Sequence, residues 1–276
     1  MVPGIFARTY AAKSADAICA QARSDGFTAL QFNLFCVGLP TTPEHVPDGV
    51  ADAVAGAAKS AGIELAALSG TYNMIHPDRA LRARGRRGLR AVLQAARDMG
   101  VAVVTLCTGS RDAADMWRAH PGNGGVEAWA DLCLELEAAL ATAEPLDIKL
   151  GIEPEPGNVV RDAPTARRLL DEMRSRQLGI VLDAANLLTG VPPSAQHSVI
   201  AEATDLLGDA IVLCHAKDMA GDGTVVAAGK GVVDLASFVA RVRAAGFDGA
   251  LVGHGFAESE APAVAAHLKK LIGGGP

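Results

Sequence analysis

IKLGIEPEPGN (148–158), GIVLDAAN (179–186), IVLCHAKD (211–218) and ALVGHGF (250–256) share one pattern. Each is a short aliphatic run that meets a carboxylate or an imidazole where it ends, at Glu153, Asp183, His215 and His254 respectively. Apolar residues on both faces of a run mark a strand of a parallel sheet covered by helices. Parallel neighbours need long crossovers, and helical patterns fill the gaps between these runs.

Towards the N-terminus the same alternation predicts strands at 4–8, 29–34, 64–69 and 102–107. With 149–153, 179–183, 211–215 and 250–254 they make eight. Between them apolar residues recur at helical spacing over 14–24, 47–61, 79–98, 124–143, 164–174, 198–207, 234–245 and 260–272. Several of these stretches end near a glycine, as at Gly26, Gly62, Gly100 and Gly246. Eight strand–helix units in 276 residues predict one domain, 1–276, folded as a closed (β/α)8 barrel of the TIM type. An open doubly wound sheet is the competitor, but no glycine-rich phosphate turn follows the first strand.

Half of the residues are hydrophobic and only 4% are aromatic, which suits alanine-rich helices packed on an apolar sheet. The net charge of −6 argues against a nucleic-acid partner, which would favour a basic stripe. The densest basic run, Arg82, Arg84, Arg86, Arg87 and Arg90, reads as a solvated helix surface. Five cysteines without CxxC spacing read as buried thiols of a reducing compartment, so a cytoplasmic location is expected. No apolar run reaches the length of a membrane span, and no membrane partner is expected.

In such a barrel the loops after the strands converge on one face, where chemistry is done. Four consecutive strands would deliver Glu153, Asp183, His215 and His254 to that mouth, a donor set for a divalent cation. Singly, an aspartate closing a strand is often a helix cap and a lone histidine a satisfied core residue; four in register favour the metal. Around them, His76, Trp117, Asn158 and Asn186 are candidates for substrate contact. Arg111 and Lys230 are candidates for a substrate phosphate, and Lys217 for polarising a carbonyl oxygen. Glu155 is a candidate for orienting ligands or moving a proton.

GIEPEPGN, VLDAAN, CHAKD and GKGVVD (229–234), with SGTYNMIHPD (69–78) and TLCTGSRDAADMWRAHP (105–121), resemble the xylose-isomerase-like barrel superfamily of sugar-phosphate isomerases and epimerases. The resemblance runs over essentially the whole chain. It implies a metal held by a Glu, an Asp, a His and a second Glu, of which Glu153, Asp183 and His215 match the first three. His254 stands where the second Glu is expected, and Asn186 where many relatives place a His. In epimerases of the family the two glutamates act as acid and base, so His254 removes one of the pair. Two carboxylates and two neutral imidazoles leave a divalent site formally neutral. The added nitrogen shifts preference from Mg2+ towards Mn2+ first, with Co2+, Fe2+ or Zn2+ close behind.

The function so implied is metal-dependent isomerisation or epimerisation of a small sugar, sugar phosphate or keto-polyol through an enediolate. Glu153 is the leading base, with Lys217, Glu155 or Glu258 for the second acid. Three alternatives remain open: a keto-polyol dehydratase, a metal-dependent phosphodiesterase, and a non-catalytic relative that binds metal and sugar. The expected partner is a small carbohydrate, and a homo-oligomer is left open.

Overall fold

The computed structural model describes residues 1–274. Eight strands close on themselves: β1 (Val2–Phe6), β2 (Ala29–Phe32), β3 (Glu64–Ser69), β4 (Val103–Cys107), β5 (Lys149–Glu153), β6 (Leu178–Asp183), β7 (Ile211–Ala216) and β10 (Ala250–Gly253). The first six pair in sequence order, β6 pairs with β7, and β10 closes the ring between β7 and β1, all in parallel. The (β/α)8 barrel expected from the alternation is therefore the fold. Helices α1 (Ala15–Asp25), α2 (Val50–Ala61), α3 (Arg79–Met99), α4 (Val126–Ala143), α5 (Ala163–Met173), α7 (Pro193–Leu207), α8 (Leu235–Ala244) and α9 (Ala261–Gly273) form the crossovers and the last turn of the outer ring. Two elements were not legible: the single turn α6 (Ala184–Leu187) and a two-stranded hairpin, β8 (Asp218–Met219) with β9 (Val225–Val226), in the loop after β7.

Alternation along the strands sorts side chains into two layers. Outward-facing residues such as Ile152, Ile180, Leu182 and Cys214 join one large cluster under the helices. Inward-facing Ala29, Ala67, Val181, Leu213, Ala250 and Val252 pack as a small separate cluster, which fills the barrel below its mouth. Above that plug the inward positions turn polar, at Gln31, Ser69, Thr105, Glu153, Asp183 and His215, all buried.

Helix boundaries follow local chemistry. Ser14, Asp78, Asp162 and Asp234 accept backbone N–H bonds at the starts of α1, α3, α5 and α8. Gly26, Gly62 and Gly100 end α1, α2 and α3 in the left-handed region. Two expected boundaries move. The first strand runs over Val2–Phe6 rather than 4–8, because a 3-10 turn at Ala7–Thr9 ends it and throws Arg8 onto the rim. The helix expected at 198–207 starts five residues earlier at Pro193, since a proline is tolerated at a first helical position. Among the described residues no helix is long and apolar enough to cross a membrane, and all five cysteines are free.

Candidate metal centre

The ends of β5, β6, β7 and β10 bring Glu153, Asp183, His215 and His254 together, and one donor atom from each lies within 4.8 Å of the others. Asp183 sits beside His215 in register across β6 and β7, and Val252, two residues before His254, sits beside His215 across β10. Glu153 Oε1 is 3.0 Å from His215 Nδ1, and Asp183 Oδ2 is 3.2 Å from His254 Nε2. Metal–donor bonds of about 2.1 Å set adjacent donors roughly 3.0 to 3.4 Å apart. The chain's own spacing suits a divalent ion held at the centre.

The tautomer of His215 supports that fit. Its Nε2 lies 2.7 Å from Oε1 of Gln31, whose amide nitrogen donates to Ser69 Oγ at 3.1 Å and Thr105 Oγ1 at 3.2 Å. With the Gln31 nitrogen committed to two hydroxyls, its oxygen faces the imidazole, and Nε2 carries the proton. Nδ1 then presents a lone pair to the Glu153 carboxylate, an arrangement stable only with a cation between them, whether proton or metal. Burial alone would depress His215 and raise Glu153, yet their mutual attraction wins: the imidazole titrates above its ordinary value and the carboxyl below. Asp183 is likewise held well below the usual carboxylate range against its burial, chiefly by the Lys217 charge and by His254. His254 is pushed down by burial and stays a neutral donor.

Lys217 reaches the cluster from the end of β7, donating to Asn186 Oδ1 at 2.6 Å with Asp183 Oδ2 at 3.3 Å. Its ammonium is committed to protein oxygens and stays charged, raised by Asp183 and Glu153 despite burial. Asn186 passes the constraint on, donating to Glu153 Oε1 at 3.1 Å and to the Pro154 carbonyl at 3.3 Å. Glu155 faces the same cavity; burial and the adjacent Glu153 charge push its carboxyl up to about 7. The cavity, about 480 Å3, is also lined by Phe6, Arg8, Asn33, Thr71 and Trp117.

The other residues singled out from sequence are placed differently. Asn158 is buried and accepts from Gly109 N at 2.7 Å while donating to the Met116 carbonyl at 2.9 Å. It staples the loop after β4, and so Trp117, over the mouth. The preceding Gly157 has to be glycine, since a Cβ would stand 2.0 Å from the Trp117 carbonyl oxygen. His76 is not brought to the cluster: Nδ1 accepts from Asp78 N at 2.9 Å, and Nε2 lies 3.1 Å from the Ala113 carbonyl. Arg111 binds Asp131 at 2.6 Å and the Ile75 carbonyl at 2.9 Å, and Lys230 binds Glu260 at 2.8 Å. Glu258 is exposed and accepts from Ala11 N at 2.9 Å. Asp218 is fully absorbed by the fold, accepting from Met219, Gly229, Gly231 and Val233 N–H groups at 2.8 to 3.0 Å.

Gln31, Ser69, Thr105 and Cys107 were missed. Each occupies an inward position near the end of its strand, two residues apart from an inward neighbour, so period-two counting back from the strand ends would have found them.

No curated protein matches the chain by sequence. Solved structures are similar over nearly its full length. A 3-keto-D-glucoside 4-epimerase from E. coli is 16% identical at a TM-score of 0.75, covering 98% of both chains. The IOLI protein, solved with a bound zinc atom, is 16% identical at a TM-score of 0.75, covering 99% of this chain and 98% of its own. A D-allulose 3-epimerase from Methylomonas sp., in complex with D-allulose, is 17% identical at a TM-score of 0.69, covering 93% and 84%. Identities this low speak for the fold alone. The xylose isomerase-like TIM barrel model matches residues 19–271, and with the closed barrel already described this chain belongs to that family.

Proposed function

We propose that the chain is a divalent-metal-dependent isomerase or epimerase of a small ketose or keto-polyol. The observation that carries this reading is the convergence of Glu153, Asp183, His215 and His254 within 4.8 Å, at a cavity whose β2–β4 wall, Gln31, Asn33, Ser69, Thr71 and Thr105, is neutral and hydrogen-bonding. Similar structures, two of them sugar epimerases and one holding a zinc atom, support it as analogy. A cation held there would polarise a carbonyl and its adjacent hydroxyl, acidify the proton between them and stabilise the resulting enediolate. Mn2+ is the first choice and Zn2+, Co2+ and Fe2+ follow, given two imidazoles in the donor set.

The protein's own part is proton transfer. Glu153 has Oε1 engaged with His215 and Asn186, while Oε2 accepts only a long thiol bond from Cys107 Sγ at 3.9 Å and is the oxygen to take a proton from the α-carbon. Glu155, poised near 7, supplies the proton that the two-glutamate scheme would draw from the position of His254. Returned to the same carbon on the other face it epimerises; returned to the neighbouring carbon it isomerises. Solvent exchange resets both carboxyls. Lys217 and Asn186 keep Asp183 ionised and Glu153 aimed.

Metal analysis of the purified protein, followed by incubation with ketoses in D2O, tests this. Bound cation near one per chain and deuterium entering at the carbon next to the carbonyl are expected. Glu153→Gln should cut exchange by about 10^2- to 10^4-fold. A cation-free protein, or exchange untouched in Glu153→Gln, overturns the reading.

A further inference from the structure

The loops around the mouth carry several cations, and almost all are spent on carboxylates. Arg111 pairs with Asp131 at 2.6 Å, Arg118 with Asp112 at 3.3 Å, Arg161 with Asp162 at 3.3 Å and Lys230 with Glu260 at 2.8 Å. Lys217 is held by Asp183. Arg8, with Lys13 beside it, is the exception: among the described residues no carboxylate lies within ion-pair distance of either.

Its position gives that exception a meaning. Arg8 sits in the 3-10 turn directly after β1, beside the strand that carries His254. It lines the cavity above the metal cluster and also an adjoining cavity of about 630 Å3, and the two share Phe6, Arg8 and His254. Its guanidinium carbon lies 4.8 Å from the centre of the Phe35 ring, and Lys13 Nζ lies 4.9 Å from the same centre. Phe35 is 45% exposed, an aromatic ring left at the rim to hold a cation by its face. A guanidinium resting on a ring keeps its in-plane N–H edge free, which is the edge that recognises carboxylate and phosphate in pairs. The rest of the cavity's β2–β4 wall, Gln31, Asn33, Ser69, Thr71 and Thr105, is neutral and suits hydroxyls. The chain as a whole carries −6, so this uncompensated positive rim is a local feature and not part of a basic surface.

We propose that Arg8, with Lys13 behind it, anchors an anionic group at the end of the substrate away from the metal cluster, so that the substrate is a short keto-polyol bearing a carboxylate or a phosphate. This rests on the reading above that the cavity takes a small ketose. It also moves the anion contact away from Arg111 and Lys230, which are paired with Asp131 and Glu260.

Calorimetric titration of the metal-loaded protein with a panel of pentuloses and hexuloses, each beside its phosphate ester and its keto acid, tests the anchor. At least one anionic ligand should bind about tenfold or more tightly than its neutral parent, a difference of about 1.4 kcal/mol. Arg8→Gln, with its fold checked by circular dichroism, should abolish that preference while moving the neutral ligand's Kd far less. The carboxylate and phosphate arms identify which anion is preferred. Equal binding of neutral and anionic ligands, an anion preference that survives Arg8→Gln, or no binding by any of them overturns the anchor. The two readings fail separately: an Arg8-dependent preference without deuterium exchange sinks the isomerase, and exchange with no anion preference sinks the anchor.

Discussion

The two halves of the barrel mouth use the same strand-end positions for opposite purposes. On the side of β5, β6, β7 and β10 the inward residues are Glu153, Asp183, His215 and His254, charged or basic, each with a partner of complementary charge or proton demand. On the side of β2, β3 and β4 they are Gln31, Ser69 and Thr105, neutral and bonded to one another. The halves meet where Gln31 Oε1 lies 2.7 Å from His215 Nε2 and where Cys107 Sγ lies 3.9 Å from Glu153 Oε2. A donor set of this kind does not orient itself. An imidazole offers a metal one nitrogen, and which one is decided by what holds the other.

Not every charge on the charged side belongs to the site, and Asp218 gives the largest expected effect of breaking that assumption. Three residues past His215 and 1% exposed, its carboxylate accepts four backbone N–H groups, one from β8 at Met219 and three from the segment after β9, at Gly229, Gly231 and Val233. A Cβ on Gly231 would stand 2.2 Å from Asp218 Oδ1, so GKGVVD is wrapped around this side chain. Asp218→Ala orphans all four donors, and buried unsatisfied groups cost about 1 to 3 kcal/mol each where water cannot replace the partner. We expect a loss of about 3 kcal/mol or more, a fall in Tm of roughly 6 °C or beyond by calorimetry. A Tm within a degree of wild type would mean that water takes the place of the carboxylate at these donors.

Gln31→Leu breaks the Gln31–His215 contact between the halves at an intermediate cost. It keeps the volume and removes the acceptor from His215 Nε2. Outer partners of metal-bound histidines are worth about 10- to 100-fold in metal affinity. That loss, read by competition with a chelator, is expected with little change in the fold. Gln31→Glu, which keeps an acceptor, should restore part of it. Unchanged affinity in Gln31→Leu would mean that the neutral wall serves substrate only.

This asymmetry also explains what the sequence disclosed. Glu153, Asp183, His215 and His254 were legible because a charge at the end of an aliphatic run has few reasons to be there. Gln31 in ALQFN and Thr105 in VVTLC were not, since a neutral polar residue within a strand is unremarkable until three strands are brought together. Asn158 was found from sequence, but the structure gives it a loop to hold: only folding brings Gly109 and Met116, on the loop after β4, against it. The hairpin after β7 was invisible for a similar reason. Its strands are two residues each and its order comes from Asp218, not from any hydrophobic period.

The smallest expected effect is the most informative about the charged half. His254→Glu exchanges a neutral nitrogen donor for a carboxylate and takes a divalent site from formally neutral to −1. Hard cations gain most from an added carboxylate, and ions that favour imidazole lose a nitrogen. The ratio of Mg2+ to Zn2+ affinity should therefore rise by about tenfold, even if both affinities change, and a competition titration reads the ratio directly. Lys217, 3.3 Å from Asp183, should soften the added negative charge and keep the variant folded. If the ratio does not move, His254 serves Asp183 as a hydrogen-bond partner and lies outside the donor set, which then falls to Glu153, Asp183 and His215.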